Sequence, residues 1–165
     1  MKGFEVAKSD DALYVRVHGL GSMTSAPALE AFVDHELQAG GVRQLVLDLA
    51  DCSGVDSTFM GTLLGLNNRL GDQGEGSGVA LVNVDDHARK QLSSVGLDAF
   101  LTLVEGETRL PKKLRLTPLP AKPVGDRERL KLMLKAHKDL VAADERNRAK
   151  FGPFLEAIVA ELGDS

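Results

Sequence analysis

The sequence predicts an α/β layered fold carrying an additional helical segment at its C-terminal end. Three observations carry this reading. Short apolar stretches alternate with helically spaced ones through the first 110 residues. Two of the stretches, 44–49 and 79–84, are almost continuously apolar, as strands covered on both faces are. Beyond residue 110 the pattern changes, first to a proline-punctuated run and then to a long apolar stripe at three-to-four spacing.

Residues 4–7 form a short candidate strand. In residues 12–18, Leu13, Val15 and Val17 alternate with Tyr14, Arg16 and His18, which describes a half-exposed strand. Ser9, Asp10 and Asp11 form a turn between the two and make them a hairpin. Gly19 and Gly21 break the alternation. Thr24 or Ser25 caps a helix with Pro27 in its first turn, Leu29, Phe32, Val33 and Leu37 on one face, and Gly40 and Gly41 at its end. After the strand at 44–49 and a polar loop, helical spacing resumes at Ser57, with Met60, Leu63, Leu64, Leu66 and Leu70 on the buried side. A glycine-rich loop, residues 71–78, leads into the strand at 79–84. Asp85 and Asp86 open a helix at its positive end, and this helix holds Ala88, Leu92 and Val95. Gly96 stops it, and residues 100–104 form a last short strand. The expected order is β-β-α-β-α-β-α-β, with crossover helices covering a sheet.

Composition narrows the function classes. The chain has 165 residues, which is one domain or one domain with an appendage, and 43% are apolar, enough for a core. Aromatics make up 4% with no Trp, so that core is aliphatic. Net charge is −4 without a basic block, which argues against nucleic acid. Cys52, the one cysteine, has no disulfide partner within the chain and fits a reducing compartment. The first residues lack an apolar signal core and no run is long enough to cross a membrane, so the expectation is a cytoplasmic protein without membrane insertion.

The loop after the 44–49 strand carries the chemistry. Asp51, Ser53 and then Asp56, Ser57 and Thr58 stand directly before an apolar helix that begins with Phe59 and Met60. Hydroxyls at a helix start lie where backbone N–H groups converge, which favours added negative charge. A phosphate on Ser57 adds roughly −1.5 to −2 charges beside Asp56 and Asp48. Repulsion and desolvation then weaken a covering partner, and a shift of about 3 kcal/mol would change its affinity roughly a hundredfold. Taken from the residues alone, Ser57 and Thr58 read first as a plain N-cap.

Residues 1–110 resemble a STAS domain, the fold of bacterial anti-sigma factor antagonists. The resemblance rests on the strand Leu45-Val46-Leu47-Asp48-Leu49, on Asp51, Ser53 and Asp56-Ser57-Thr58, and on the apolar Met60, Leu63 and Leu64. A second matching piece is Val95-Gly96-Leu97-Asp98-Ala99-Phe100, where the family has a helix ending in Gly-Leu before its last strand. The resemblance implies a phospho-switchable protein-interaction module rather than an enzyme. Ser57, with Thr58 as the alternative, takes the place of the phosphorylated serine. Asp56, Ser57, Thr58, Phe59, Met60 and Ser22 are the expected partner surface. The implied partners are an anti-sigma factor that is a serine kinase, and a serine phosphatase; the alternative is a STAS module of another bacterial signalling assembly. Phe59 stands where the family commonly has Gly.

Other chemistry finds little support. No G-x-S-x-G elbow surrounds Ser57, and none of His18, His35, His87 and His137 is placed by sequence as its base, which leaves a small enzyme using Ser57 or His87 as the remote alternative. Cys52 has no ligand partner at metal spacing, so neither metal nor cofactor is expected. The glycine-rich loop follows a helix and precedes a strand, the reverse of a dinucleotide fingerprint.

Residues 111–125, with Pro111, Pro118, Pro120 and Pro123, read as an extended linker. Residues 126–165 read as a helical extension whose stripe, over 126–162, would be about 55 Å long if unbroken, with Asp144 and Asn147 interrupting it and Gly152-Pro153 kinking or splitting it. Its apolar stripe needs a surface, which is either its own domain or, in a homodimer or complex, another chain.

Overall fold

The computed structural model describes residues 2–163. Its elements run β1 (Gly3–Ser9), β2 (Ala12–Gly21), α1 (Ala26–Ala39), β3 (Gln44–Asp48), β4 (Cys52–Val55), α2 (Ser57–Leu70), β5 (Gly78–Val82), α3 (Asp86–Ser94), β6 (Thr102–Leu103), β7 (Thr117–Leu119), α4 (Asp126–Ala143) and α5 (Asn147–Gly163). A 3-10 turn at Leu97–Ala99 precedes β6.

The strands order as β6-β5-β3-β2-β1-β7, with β4 pairing on β2. The β1–β2 hairpin is antiparallel and turns at Asp10, whose left-handed backbone an aspartate tolerates. The central pairs β2–β3, β3–β5 and β5–β6 are parallel, with Val15 opposite Leu47 and Leu47 opposite Leu81. Leu13, Val15 and Val17 are fully buried, while Tyr14, Arg16 and His18 are half-buried, as the alternation predicts. Strand β5 is buried at every position and β3 at all but its first, as their unbroken apolar runs predict.

Three elements differ from the sequence reading. Residues 52–55, expected as loop, form β4. Asp56 N–H donates to Gly21 O, and the Gln91 side chain of α3 clasps both Val55 N–H and Val55 O. These three bonds give a polar stretch the partners of a strand. Residues 117–119, expected inside an extended linker, pair antiparallel with β1 as β7, Leu119 facing Phe4. Proline is tolerated there because an edge strand leaves its missing N–H toward solvent.

The expected break in the C-terminal helix falls at Asp144 rather than at Pro153, which lies inside α5. Asp144 accepts from Arg146 N–H in an Asx-type turn, and its carbonyl accepts from Asn147 N–H. Asn147 is buried and donates to both Val95 O and Leu140 O, which ties the α4–α5 joint to the end of α3.

Helix α2 is buried almost all round. Thr58 through Leu66 have no exposed member, not only the apolar stripe. One side contacts β5, and α4 folds back over another. Gly61 makes that approach possible. A Cβ at Gly61 would lie 2.3 Å from the Ala136 carbonyl oxygen and 2.7 Å from its Cβ. Ala136, His137, Leu140 and Val141 are the buried residues of α4, and α5 packs in turn on α4.

Candidate functional site

The loop from β4 into α2 is held by Asp56. Its carboxylate accepts from Phe59 N–H at 2.8 Å and from Met23 N–H at 2.9 Å. Asp56 is therefore the N-cap of α2, and it stitches this loop to the one after β2. Ser57, weighed above as a cap, is the first helical residue, and its side chain is free for another partner.

That partner is His137. Ser57 Oγ and His137 Nε2 are 2.8 Å apart, although eighty residues separate them in sequence. His137 Nδ1 lies 2.7 Å from Met133 O. A carbonyl only accepts, so Nδ1 carries the hydrogen in the neutral ring. Nε2 is left with its lone pair, and the Ser57 hydroxyl donates to it. The imidazole is buried, with Phe151 and Phe154 edge-on at 4.9 and 4.8 Å between ring centroids. Burial pushes its pKa below the ordinary value, against opposing effects of the Met133 carbonyl and the Asp56 charge.

The other expected site residues are placed as follows. Ser57 is half-buried beneath α4 rather than openly exposed. Thr58, the alternative acceptor, is buried, and its carbonyl accepts from Thr62 Oγ1. Phe59 and Met60, expected to border the partner surface, are buried as well. Phe59 stacks on Phe4 at 6.2 Å and lies against Gly21, where a Cβ would come within 2.8 Å of its ring. The aromatic ring thus serves the core, because the first turn of α2 points it under the sheet's β1–β2 side. Ser22 stands in the loop that Asp56 tethers through Met23, with its Oγ accepting from Thr24 N–H. Asp48 is buried and accepts from Arg16, Asn83 and Ala50 N–H. A cleft of about 470 Å³ lined by Phe4, His18, Leu20, Ser22, Ser53 and Leu119 lies beside this loop and does not include Ser57.

A serine facing an oriented imidazole invites comparison with a nucleophile and its base. The third member is a carbonyl, not a carboxylate, and two phenyl rings flank the imidazole. Those surroundings disfavour the imidazolium that base catalysis requires. The arrangement is better suited to holding α4 than to moving a proton. Cys52 is buried with its thiol pKa raised by desolvation, the opposite of a reactive cysteine. Among the described residues no group of three or more His, Cys, Asp or Glu is disposed to hold a metal ion. Among them, too, no helix is long and apolar enough to cross a membrane.

His137 is the site residue that the sequence reading did not bring to Ser57. A histidine in an apolar stripe reads as one more buried position. The available signal was the pair Gly61 and Gly65, one turn apart on a helix otherwise rich in leucine, which marks where another helix comes close.

A mixed sheet with a parallel centre and an antiparallel hairpin entry, and a serine opening the helix after β4 beside its Asp56 cap, are the features of a STAS-type α/β domain. The chain belongs to the STAS family: residues 4–105 match the family described as "Mlab, STAS domain". Curated proteins include no match to the chain. Among solved structures it is similar to the unphosphorylated anti-sigma factor antagonist SpoIIAA, with 18% identity, 62% of this chain and 89% of that one covered, and a TM-score of 0.54. A putative anti-sigma factor antagonist from Thermotoga maritima gives 21% identity, 62% and 86% coverage, and a TM-score of 0.54. The phosphorylated form of the Bacillus cell fate determinant SpoIIAA gives 18% identity, 62% and 92% coverage, and a TM-score of 0.50. At these identities the likeness is one of fold. Residues 106–165 lie outside the family match.

Proposed function

We propose that this chain is a protein-interaction module of the anti-sigma factor antagonist kind, with Ser57 as its phosphorylation switch. Unphosphorylated, it binds an anti-sigma factor that is also a serine kinase, and a serine phosphatase resets it. The observation that carries the reading is the position of Ser57. It is the first residue of α2, with the cap already supplied by Asp56, in a fold similar to a protein solved in both phosphorylated and unphosphorylated forms. The helix N-terminus accommodates the added charge, so modification changes the surface without unfolding the domain. The different description of the matching family favours a second reading, a STAS module of another bacterial signalling assembly with a different partner.

Phosphopeptide mapping from the native host tests the first reading, with modification expected at Ser57. Phosphate found only at Ser22 or Ser94 would overturn the assignment. With a partner recovered by pull-down, calorimetric titration should show Ser57→Asp binding more weakly than wild type and Ser57→Ala at least as tightly. Equal affinities for all three would remove Ser57 from the switch.

A further inference from the structure

The face of α2 that carries Ser57 is occupied by another helix of the same chain. Helix α4 lies on α2 where Gly61 and Gly65 leave room, and it reaches the first residue of α2 through His137. At Gly65 the neighbours are only the mobile ends of Asp139 and Lys135, so the tight approach is concentrated at Gly61. The connection preceding α4, residues 120–125, is almost wholly exposed. The α4–α5 pair is anchored by Ala136, His137, Leu140 and Val141 from α4 and Asn147 and Ile158 from α5, with Leu132, Ala143 and Phe151 only partly buried against the core. Val159 and Phe154 remain exposed. A segment with so small a buried set, tethered by an exposed strap, opens at lower cost than the sheet unfolds.

We propose that α4 is an autoinhibitory cover, an in-chain occupant of the Ser57 face that must lift before that face meets a partner or a modifying enzyme. This rests on the reading of Ser57 as the switch only for its biological meaning. The cover itself is a property of the chain alone. Closure is held by the Ser57 hydroxyl donating to His137 Nε2 and by the fit of Ala136 over Gly61. This is the helix-in-groove mode of recognition, with the chain's own helix as resident.

The test uses the full chain with Gly61→Ala. Alanine is the better helix former, so α2 is not weakened, yet its methyl group falls on the Ala136 carbonyl. Two readouts are taken. In hydrogen exchange, peptides from 126–143 should lose protection at least tenfold, while peptides from β2 and β3 stay as in wild type. In thiol labelling with dithionitrobenzoate, Ser57→Cys, whose thiol replaces the hydroxyl as a weaker donor to His137, should react at least tenfold faster when combined with Gly61→Ala than alone. Ser53→Cys, at an exposed site, should be fast in both backgrounds, and native Cys52 is the buried reference. His137→Asp, which places a buried carboxylate near Asp56, is the second wedge and should act in the same direction. Equal labelling at position 57 with and without the wedges would overturn the proposal. So would loss of β2 and β3 protection in step with α4, which would make α4 part of the core. None of these measurements involves phosphate or partner. A cover that opens as expected, in a chain never phosphorylated at Ser57, would leave this inference standing and remove the switch.

Discussion

Removing the Ser57 hydroxyl separates two roles that a serine at a helix start can play. In Ser57→Ala, Asp56 still caps α2, so no cap energy is lost. What is lost is the donor to His137 Nε2, a buried nitrogen that is left without a partner. Orphaning a buried acceptor costs about 1–3 kcal/mol. His137→Phe removes the acceptor instead and keeps an aromatic ring beside Phe151 and Phe154. Its hydroxyl counterpart is only half-buried and can turn to water, so this loss is smaller, about 0.5–1.5 kcal/mol. In the double variant neither group is orphaned. The two single losses should therefore fail to add by at least ~0.5 kcal/mol. Native-state hydrogen exchange of α4 amides at pH 8 reads this equilibrium directly. Additivity within about 0.3 kcal/mol would refute the bond as a stabilising contact. A cap role for Ser57 would give that additive outcome, because a cap is indifferent to residue 137.

The His137 environment predicts a pH dependence. Its pKa is lowered in the closed state and returns to about 6.5 when α4 lifts, so the open state binds more protons. Closure is fully stable above about pH 6.5 and weakens as pH falls from there toward the lowered value, by at most about 1.4 kcal/mol per pH unit. The groups facing the ring are Asp56, Ser57, the Met133 carbonyl and the two phenyl rings, and Asp56 only moderates the shift. Exchange of α4 amides, corrected for intrinsic rates, should accelerate between pH 7.5 and 5.5 in wild type but not in His137→Phe, and equal pH response in both would refute the assignment. Phe59→Ala should cost about 3–5 kcal/mol of global stability in urea unfolding, since the ring is fully buried between Phe4 and Gly21; a loss under 1 kcal/mol would place the ring at the surface.

How far the sequence could be read depended on the range of the interaction. The hairpin, the two buried strands and the helices α1 to α3 are written in local periodicity, and the structure has them within a residue or two except that β2 runs on through Gly19 to Gly21, three residues past the alternation. Strand β4 was not legible because Cys52, Ser53 and Gly54 have no strand pattern. Its pairing comes from Gln91 and from β2, which are distant in sequence. Strand β7 was hidden by prolines that an edge position permits. At the site, Asp56-Ser57-Thr58 was visible as a motif, but which residue caps and which is free is decided by a 2.8 Å contact that no spacing reveals. The burial of Phe59 and Met60 was likewise set from outside, by Phe4, Gly21 and the helix laid over α2.

The chemistry of the contact explains why a polar bond sits in an otherwise apolar interface. Leucine packing alone would hold α4 down whatever the state of Ser57. A hydroxyl donating to a lone pair makes closure conditional on that hydroxyl being free. A phosphate on Ser57 removes the donated hydrogen and sets anionic oxygens against the Nε2 lone pair, so the neutral imidazole has nothing to accept. Protonating the ring would restore attraction, but burial between Phe151 and Phe154 opposes the charge. A phosphate on Ser57 would therefore remove what the free hydroxyl contributes to closure. If Ser57 is the switch, its phosphate would act on partner binding through repulsion and on α4 through the lost donor, and α4 would respond to the state of a serine eighty residues away.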